Sequence, residues 1–213
     1  MGRISKGILG GFSGKVGTVV GSRWKGIDYI RSKSTARKSS ASPKQEAQRA
    51  KFKLVTSFLS TMIGLIRVSF RDFEVNMSGR NHALAYNIEN AVKGEGATLD
   101  LEYSMVLVSR GNKLPNAANP TAAAGTPGNI AFNWENNAGT GDALPGDQAI
   151  LVAFCPSLKQ SVFTTAGPAR STGSGILNVA AFAGREVHTW ISFLSENGKH
   201  VATSVYTGAV TVA

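Results

Sequence analysis

The sequence predicts a mainly β protein with a helical section: an antiparallel β-sandwich preceded by a basic, glycine-rich hairpin arm and two helices. Three observations carry this prediction. From residue 97 onward about seven short apolar segments alternate with turn clusters, the pattern of a compact antiparallel β domain. Between residues 42 and 96 apolar side chains recur at helical spacing behind capping residues. Residues 1–41 are rich in glycine and in Lys and Arg.

In the arm, Gly7, Gly10, Gly11, Gly14, Gly17, Gly21 and Gly26 oppose a helix, because each interior glycine costs about 1 kcal/mol relative to alanine. From Lys15 the pattern turns strand-like. Val16, Thr18, Val19 and Val20 lead to Trp24, and Ile27, Tyr29 and Ile30 follow a two-residue Lys25-Gly26 turn, which reads as a β-hairpin. Residues 32–42 are rich in Ser and basic side chains without periodicity and read as an exposed linker.

The helical section opens on Ser42, Pro43 and Gln45, an N-cap, a first-turn proline and a capping-box partner. Ala47, Ala50, Lys51, Leu54, Phe58 and Met62 then give an amphipathic helix from 43 to the low 60s, whose stripe is expected to pack on the β domain. Gly64 interrupts it, and the alternation Ile66, Val68, Phe70 predicts a short strand. A second helix is expected over 79–93, capped by Ser78, striped by Leu84, Ile88 and Ala91, and stopped by Gly94.

In the β section, the strand candidates are Leu99–Tyr103, Val106–Val108, Ile130–Trp134, Ala149–Phe154, Val162–Phe163, Ile176–Phe182, Val187–Leu194 and Val201–Val212. The turn clusters are Asn136-Asn137-Ala138-Gly139, Pro145-Gly146-Asp147, Gly173-Ser174-Gly175 and Glu196-Asn197-Gly198-Lys199. Asn197-Gly198 is a hairpin signal between the last two long strands.

Composition narrows the function classes. The chain has 213 residues, 42% of them hydrophobic, a mean hydropathy of −0.04 and a net charge of +10. That excludes an acidic disordered chain, a collagen and a disulfide-framed miniprotein. A single cysteine, Cys155, allows no internal disulfide. No apolar run reaches the roughly 18 residues of a membrane-spanning helix. Met1–Gly14 makes a poor signal peptide because glycines and Lys15 interrupt its apolar stretch, so a cytoplasmic or virion-associated location is expected. The charge is strongly asymmetric: residues 1–53 hold 13 basic and 2 acidic side chains, and the remaining 160 hold 10 and 11. Such an arm suits an anionic surface or a protein docking site.

Ile130-Ala131-Phe132-Asn133-Trp134, with the later run Val187–Phe193, Glu196-Asn197-Gly198 and Ser204-Val205-Tyr206, resembles a fibronectin type III or similar immunoglobulin-like domain over residues 105–213. The resemblance implies an immunoglobulin-like sandwich that binds or scaffolds. The whole chain also resembles an uncharacterised family of similar length, a domain of unknown function found widely in Bacteroidota. The residues that carry this are Gly7–Gly17 with Trp24-Lys25-Gly26, Gln48–Phe52, Val106–Gly111 and Ser204–Gly208. It implies a bacterial or phage-related context and transfers no activity.

No catalytic constellation emerges. Gly14-Lys15 is followed by Val16, and Leu9 stands where a phosphate loop needs glycine. His82, His188 and His200 lack metal-ligand spacing, and no serine sits in a nucleophile elbow. Cys155 reads as a packed strand-end thiol, and His188 as a partly buried strand residue. The expectation is therefore a non-enzymatic structural or assembly protein, with no cofactor, metal or small-molecule substrate. Its arm docks on neighbouring subunits or a partner in a larger particle, through Arg3, Lys6, Phe12, Lys15, Arg23, Trp24, Lys25, Tyr29, Arg31, Lys33, Arg37 and Lys38. Ile8, Leu9, Val16, Val19, Val20, Ile27 and Ile30 favour a folded protein contact over a disordered tail. The alternative is nucleic-acid binding, with basic residues on phosphates and Trp24, Tyr29 and Phe12 stacking on bases.

Overall fold

A computed structural model describes residues 3–4, 10–34, 41–73 and 77–213. The chain forms two compact units, Met1–Ser42 and Pro43–Ala213. The expected helical section (42–96) and β section (97–213) thus belong to one unit.

The first unit is an antiparallel sheet of β1 (Arg3–Ile4), β2 (Phe12–Val16), β3 (Val19–Trp24) and β4 (Ile27–Ser32), in that order. The predicted hairpin is present: Trp24 faces Ile27 across Lys25 and Gly26, whose φ values are +47° and +87°. Positive φ at both turn residues matches the right-handed twist of the strands, and glycine supplies the second at no steric cost. One expectation needs correction. Val16 and Val19 do not lie in one strand, because Gly17 (φ +57°) and Thr18 form a second two-residue turn, and Val16 pairs with Val19 across it.

The second unit is layered. The helical layer contains α1 (Pro43–Ser60), α2 (Ile63–Ser69) and α3 (Gly79–Asn90), followed by a small ladder of β5 (Val92–Lys93) and β6 (Asp100–Leu101). The middle layer contains β9 (Gln148–Cys155), β10 (Gln160–Thr164), β12 (Glu186–Leu194) and β13 (Val205–Thr211), ordered β10-β9-β12-β13. The third contains β7 (Ala118–Ala124), β8 (Asn129–Glu135) and β11 (Ser174–Asn178), ordered β11-β8-β7. All paired strands run antiparallel.

The middle sheet is covered on both faces, which explains the continuous apolar run in β9. Ala149, Leu151, Ala153 and Cys155 enter a core shared with Ile130, Phe132 and Trp134 of β8 and Leu177 of β11. The alternate residues Ile150, Val152 and Phe154 enter a second core with Val55, Phe58 and Leu59 of α1, Leu65 and Ile66 of α2, and Trp190 of β12. The alternation is the two-residue period of a strand. The α1 stripe packs on the β layer as expected, although Ala47 and Ala50 are exposed and Val55, Phe58, Leu59 and Met62 form the buried face.

Five further expectations are corrected. Ile66, Val68 and Phe70 belong to α2 and its end, where Met62, Leu65, Ile66, Ser69 and Phe70 are buried at helical spacing. Val106–Val108 is not a strand. Its backbone is satisfied by buried side chains instead: Asn87 exchanges two hydrogen bonds with Leu107, Ser69 donates to the Val108 carbonyl, and the Val108 amide donates to Ser204. Of Leu99–Tyr103 only Asp100 and Leu101 pair as strand, and Ala180–Phe182 is a 3₁₀ turn. Asn197-Gly198 does sit in a turn, with the Gly198 amide bonded to the Ser195 carbonyl, but the ladder resumes at Val205 after a ten-residue excursion (195–204) carrying two isolated bridges, Val201 to Leu194 and Ala202 to Leu114. Helix α3 forms as expected, with the Ser78 hydroxyl accepting from the Asn81 amide, and ends at Asn90.

Candidate functional site

The arm sheet exposes apolar and basic residues together. Lys15, Val16, Arg23, Trp24, Lys25, Ile27, Tyr29, Ile30, Arg31 and Lys33 are all exposed, Ile27 at 67% and Ile30 at 65% of their full surface. Cross-strand register assigns them to faces, since directly opposite residues point the same way. One face carries Lys15, Val20, Ser22, Trp24, Ile27, Tyr29 and Arg31; the other carries Val16, Val19, Arg23, Asp28, Ile30 and Ser32. Arg23 lies 3.6 Å from Asp28, and the Lys25 ammonium sits 5.3 Å from the Trp24 ring centroid.

The structure therefore brings Lys15, Trp24, Tyr29 and Arg31 onto one face, and places Arg23 on the opposite one. Phe12 is half-buried. It packs over Gly21, where an added Cβ would run into the Phe12 carbonyl oxygen and ring, so Phe12 serves the sheet itself. Lys6, Arg37 and Lys38 lie outside the described residues, and of Arg3 only the backbone is described. The exposed aliphatics Val16, Ile27 and Ile30 were legible as apolar arm residues, but nothing in the sequence marked them as surface.

The second unit contains a cleft of about 610 Å³ between α1, β6, the turn after it and the middle sheet. Its floor is Leu54, Phe58, Tyr103, Phe154 and His188, and Lys53, Asp100, Lys159 and Glu186 stand at its rim. Tyr103 stacks on His188 with ring centroids 3.8 Å apart, and His188 Nδ1 shares a 2.8 Å hydrogen bond with the Tyr206 hydroxyl. Burial holds the His188 imidazole below its ordinary pKa, against the pull of Glu186, Asp100 and Glu102. Burial and the nearby Asp100 push the Tyr103 phenol up to about 12. Both groups are neutral at pH 7 and form an aromatic wall. No spacing in the sequence could have joined these residues, since they come from four distant segments.

The remaining chemistry-bearing groups stand apart. Cys155 is buried, with its thiol 3.2 Å from the Ser157 hydroxyl. His82 lies on α3 beside Phe70, and His200 approaches Asp72 at 3.5 Å. Among the described residues no group of three or more His, Cys, Asp or Glu could hold a metal ion. No single described helix is long and apolar enough to cross a membrane; α1 and α2 meet that composition only as a pair bent by 90°.

The chain belongs to a family of unknown function, DUF6266, which matches residues 11–208 and so takes in both units. A comparison with curated proteins finds no match.

Proposed function

We propose that the chain is a non-enzymatic assembly subunit whose arm docks on neighbouring copies within a larger particle, a phage or virus-like particle being one concrete form. The observation that carries this is the set of large apolar side chains, Val16, Trp24, Ile27, Tyr29 and Ile30, exposed on both faces of the arm sheet. A sheet normally buries at least one face, and contiguous exposed apolar surface rimmed by charge marks an interaction site. The body supports the reading by its build: two complete cores on either side of one sheet suit a rigid scaffold. Its finer architecture is of the fibronectin type III, immunoglobulin-like kind. Of its seven main strands the first, second and fifth make one sheet and the third, fourth, sixth and seventh the other, and Trp134 on the second lies in the shared core.

The second reading is nucleic-acid binding by the arm, favoured by Lys15, Arg31, Trp24 and Tyr29 sharing one face. Light scattering after size-exclusion chromatography, at low and high salt, separates the two. The assembly reading expects a nucleic-acid-free oligomer that persists in high salt, and a folded monomer once residues 1–41 are deleted. An unchanged oligomer after deletion would defeat it. A 22.4 kDa full-length monomer that carries nucleic acid only at low salt would establish the second reading. Six phosphate contacts would then give a log–log salt slope of roughly −5.

A further inference from the structure

We propose that β4 is the joining edge of the arm: two copies pair β4 with β4, antiparallel, about a two-fold axis at Ile30, and so form one continuous sheet. This rests on the assembly reading above and specifies its contact.

Strand β4 is the last in the sheet order, and among the described residues no strand pairs with its outer edge. All six of its residues are exposed, three of them Ile27, Tyr29 and Ile30. Edge strands are ordinarily blunted by proline, by bulges, by charged side chains or by a covering segment, because their free N–H and C=O groups template another strand; of these, β4 has the charges of Asp28 and Arg31. The β3–β4 register runs unbroken from Trp24–Ile27 to Val19–Ser32 and contains no proline.

The direction of each backbone group follows from the hairpin. In a two-residue turn the flanking residues form a hydrogen-bonded pair, so Trp24 and Ile27 bond to each other across the turn. The Lys33 amide donates to the Thr18 carbonyl at 2.7 Å, in the same phase. Ile27, Tyr29, Arg31 and Lys33 therefore turn their backbone groups toward β3, and Asp28, Ile30 and Ser32 turn theirs to the free edge.

Symmetry then limits the partner register. A two-fold axis relating antiparallel neighbours in one sheet is normal to that sheet, so residues opposite each other must come from the same face. Two central registers satisfy this. An axis at Ile30 sets Ile30 against Ile30, Asp28 against Ser32 and Tyr29 against Arg31. All three outward-facing residues of each copy then enter hydrogen-bonded pairs, the carboxylate meets a hydroxyl, and the guanidinium meets an aromatic ring in the closer, non-hydrogen-bonded pair. An axis at Tyr29 sets Asp28 against Ile30 and Arg31 against Ile27, and leaves Ser32 facing the turn residue Gly26. Asp28 already faces Arg23 of its own sheet at 3.6 Å, so the registers differ mainly at Arg31, which the first sets against the Tyr29 ring and the second against the aliphatic Ile27.

Disulfide trapping of the full-length chain tests this, with Cys155→Ser as background. At the axis the two copies' residue 30 Cα atoms stand about 5.5 Å apart, inside the disulfide range, whereas two residues 27 stand about 20 Å apart along the strands. Mild oxidation is expected to give a covalent dimer of the Ile30→Cys variant and little of the Ile27→Cys variant. Ile30→Pro removes one outward N–H and none of the bonds to β3, a place where an edge strand accepts proline. It is expected to weaken self-association at least about tenfold, or 1.4 kcal/mol. Equal trapping at both positions, or preferential trapping of Tyr29→Cys, overturns the register. No trapping at any of the three, with assembly still lost on deletion of residues 1–41, overturns the β4 contact and leaves arm docking standing. Assembly that survives the deletion removes both.

Discussion

Arg170 is among the largest fully buried side chains of the body, and each of its hydrogen-bonding nitrogens holds a connecting segment. Its Nε donates to Asp147 at 3.2 Å, Nη1 to Asn137 at 2.6 Å and Nη2 to the Pro115 carbonyl at 3.2 Å, while the guanidinium lies 3.8 Å from the Phe193 ring centroid. The turn clusters Asn136–Gly139 and Pro145–Asp147 and the segment at Pro115 are thereby fastened to the core of β8 and β12. Burial pulls the guanidinium's pKa down and Asp147 pushes it back up. Such a pair stabilises little against an apolar substitute but is costly to break by halves. Arg170→Met, which leaves Asp147 buried without its cation, is expected to lower the urea-unfolding free energy by about 3–5 kcal/mol. Adding Asp147→Leu should recover part of that loss, and a double variant no better than the single would refute this account. His188 gives a pH signature. Its pKa is lowered in the fold, so between that value and the ordinary 6.5 the unfolded chain binds the extra proton. The His188 contribution to stability is therefore complete above pH 6.5 and falls as the pH drops below it. His188→Gln is expected to flatten the decline of Tm between pH 7.5 and 5 by a measurable fraction; an unchanged slope would assign the decline to other groups.

At the scale of the element, legibility followed the number of signals that agreed. The β3–β4 hairpin could be read because two strand-like runs flank a Lys25-Gly26 turn whose glycine needs positive φ. Helix α3 could be read because Ser78 caps it and Gly94 follows its end. Strand β9 could be read because burial on two faces writes an uninterrupted apolar run. The misreadings arose where one signal stood alone. Ile66, Val68 and Phe70 satisfy a strand's alternation, yet Met62, Leu65, Ile66 and Ser69 satisfy a helix over the same stretch, and packing on Ile150 and Val152 decided between them. Val106–Val108 carries a strand's composition, but its hydrogen bonds are made by Asn87, Ser69 and Ser204, up to 96 positions away in the chain. No local pattern encodes partners at that separation. The same limit hid the aromatic cleft, whose wall joins Tyr103 to His188 and Tyr206, whereas the arm's charge and apolar content lie in one short segment and could be read directly.

Over the whole molecule the two units differ in how they hold themselves together. Both hydrophobic cores of the second unit are drawn from residues between Val55 and Val212. Among the described residues of the arm sheet the one buried position is Gly21, and the large side chains are exposed or half-buried. A sheet of three or more strands needs a hydrophobic face to be stable in water, so the arm's stability is expected to come largely from whatever covers its faces and edge, and the body's from its own packing. Folding and assembly should then be separable. Differential scanning calorimetry of residues 43–213 is expected to give a cooperative transition within about 2 °C of the full chain's main transition at concentrations where the full chain is monomeric, since roughly 1 kcal/mol would already move Tm by 2–4 °C for a body of this size. Raising the concentration into the assembling range should raise the full chain's Tm by mass action and leave that of residues 43–213 fixed. A truncated body that melts far lower would mean that the arm completes the fold, and its exposed apolar side chains would then have to be explained by folding and not by assembly.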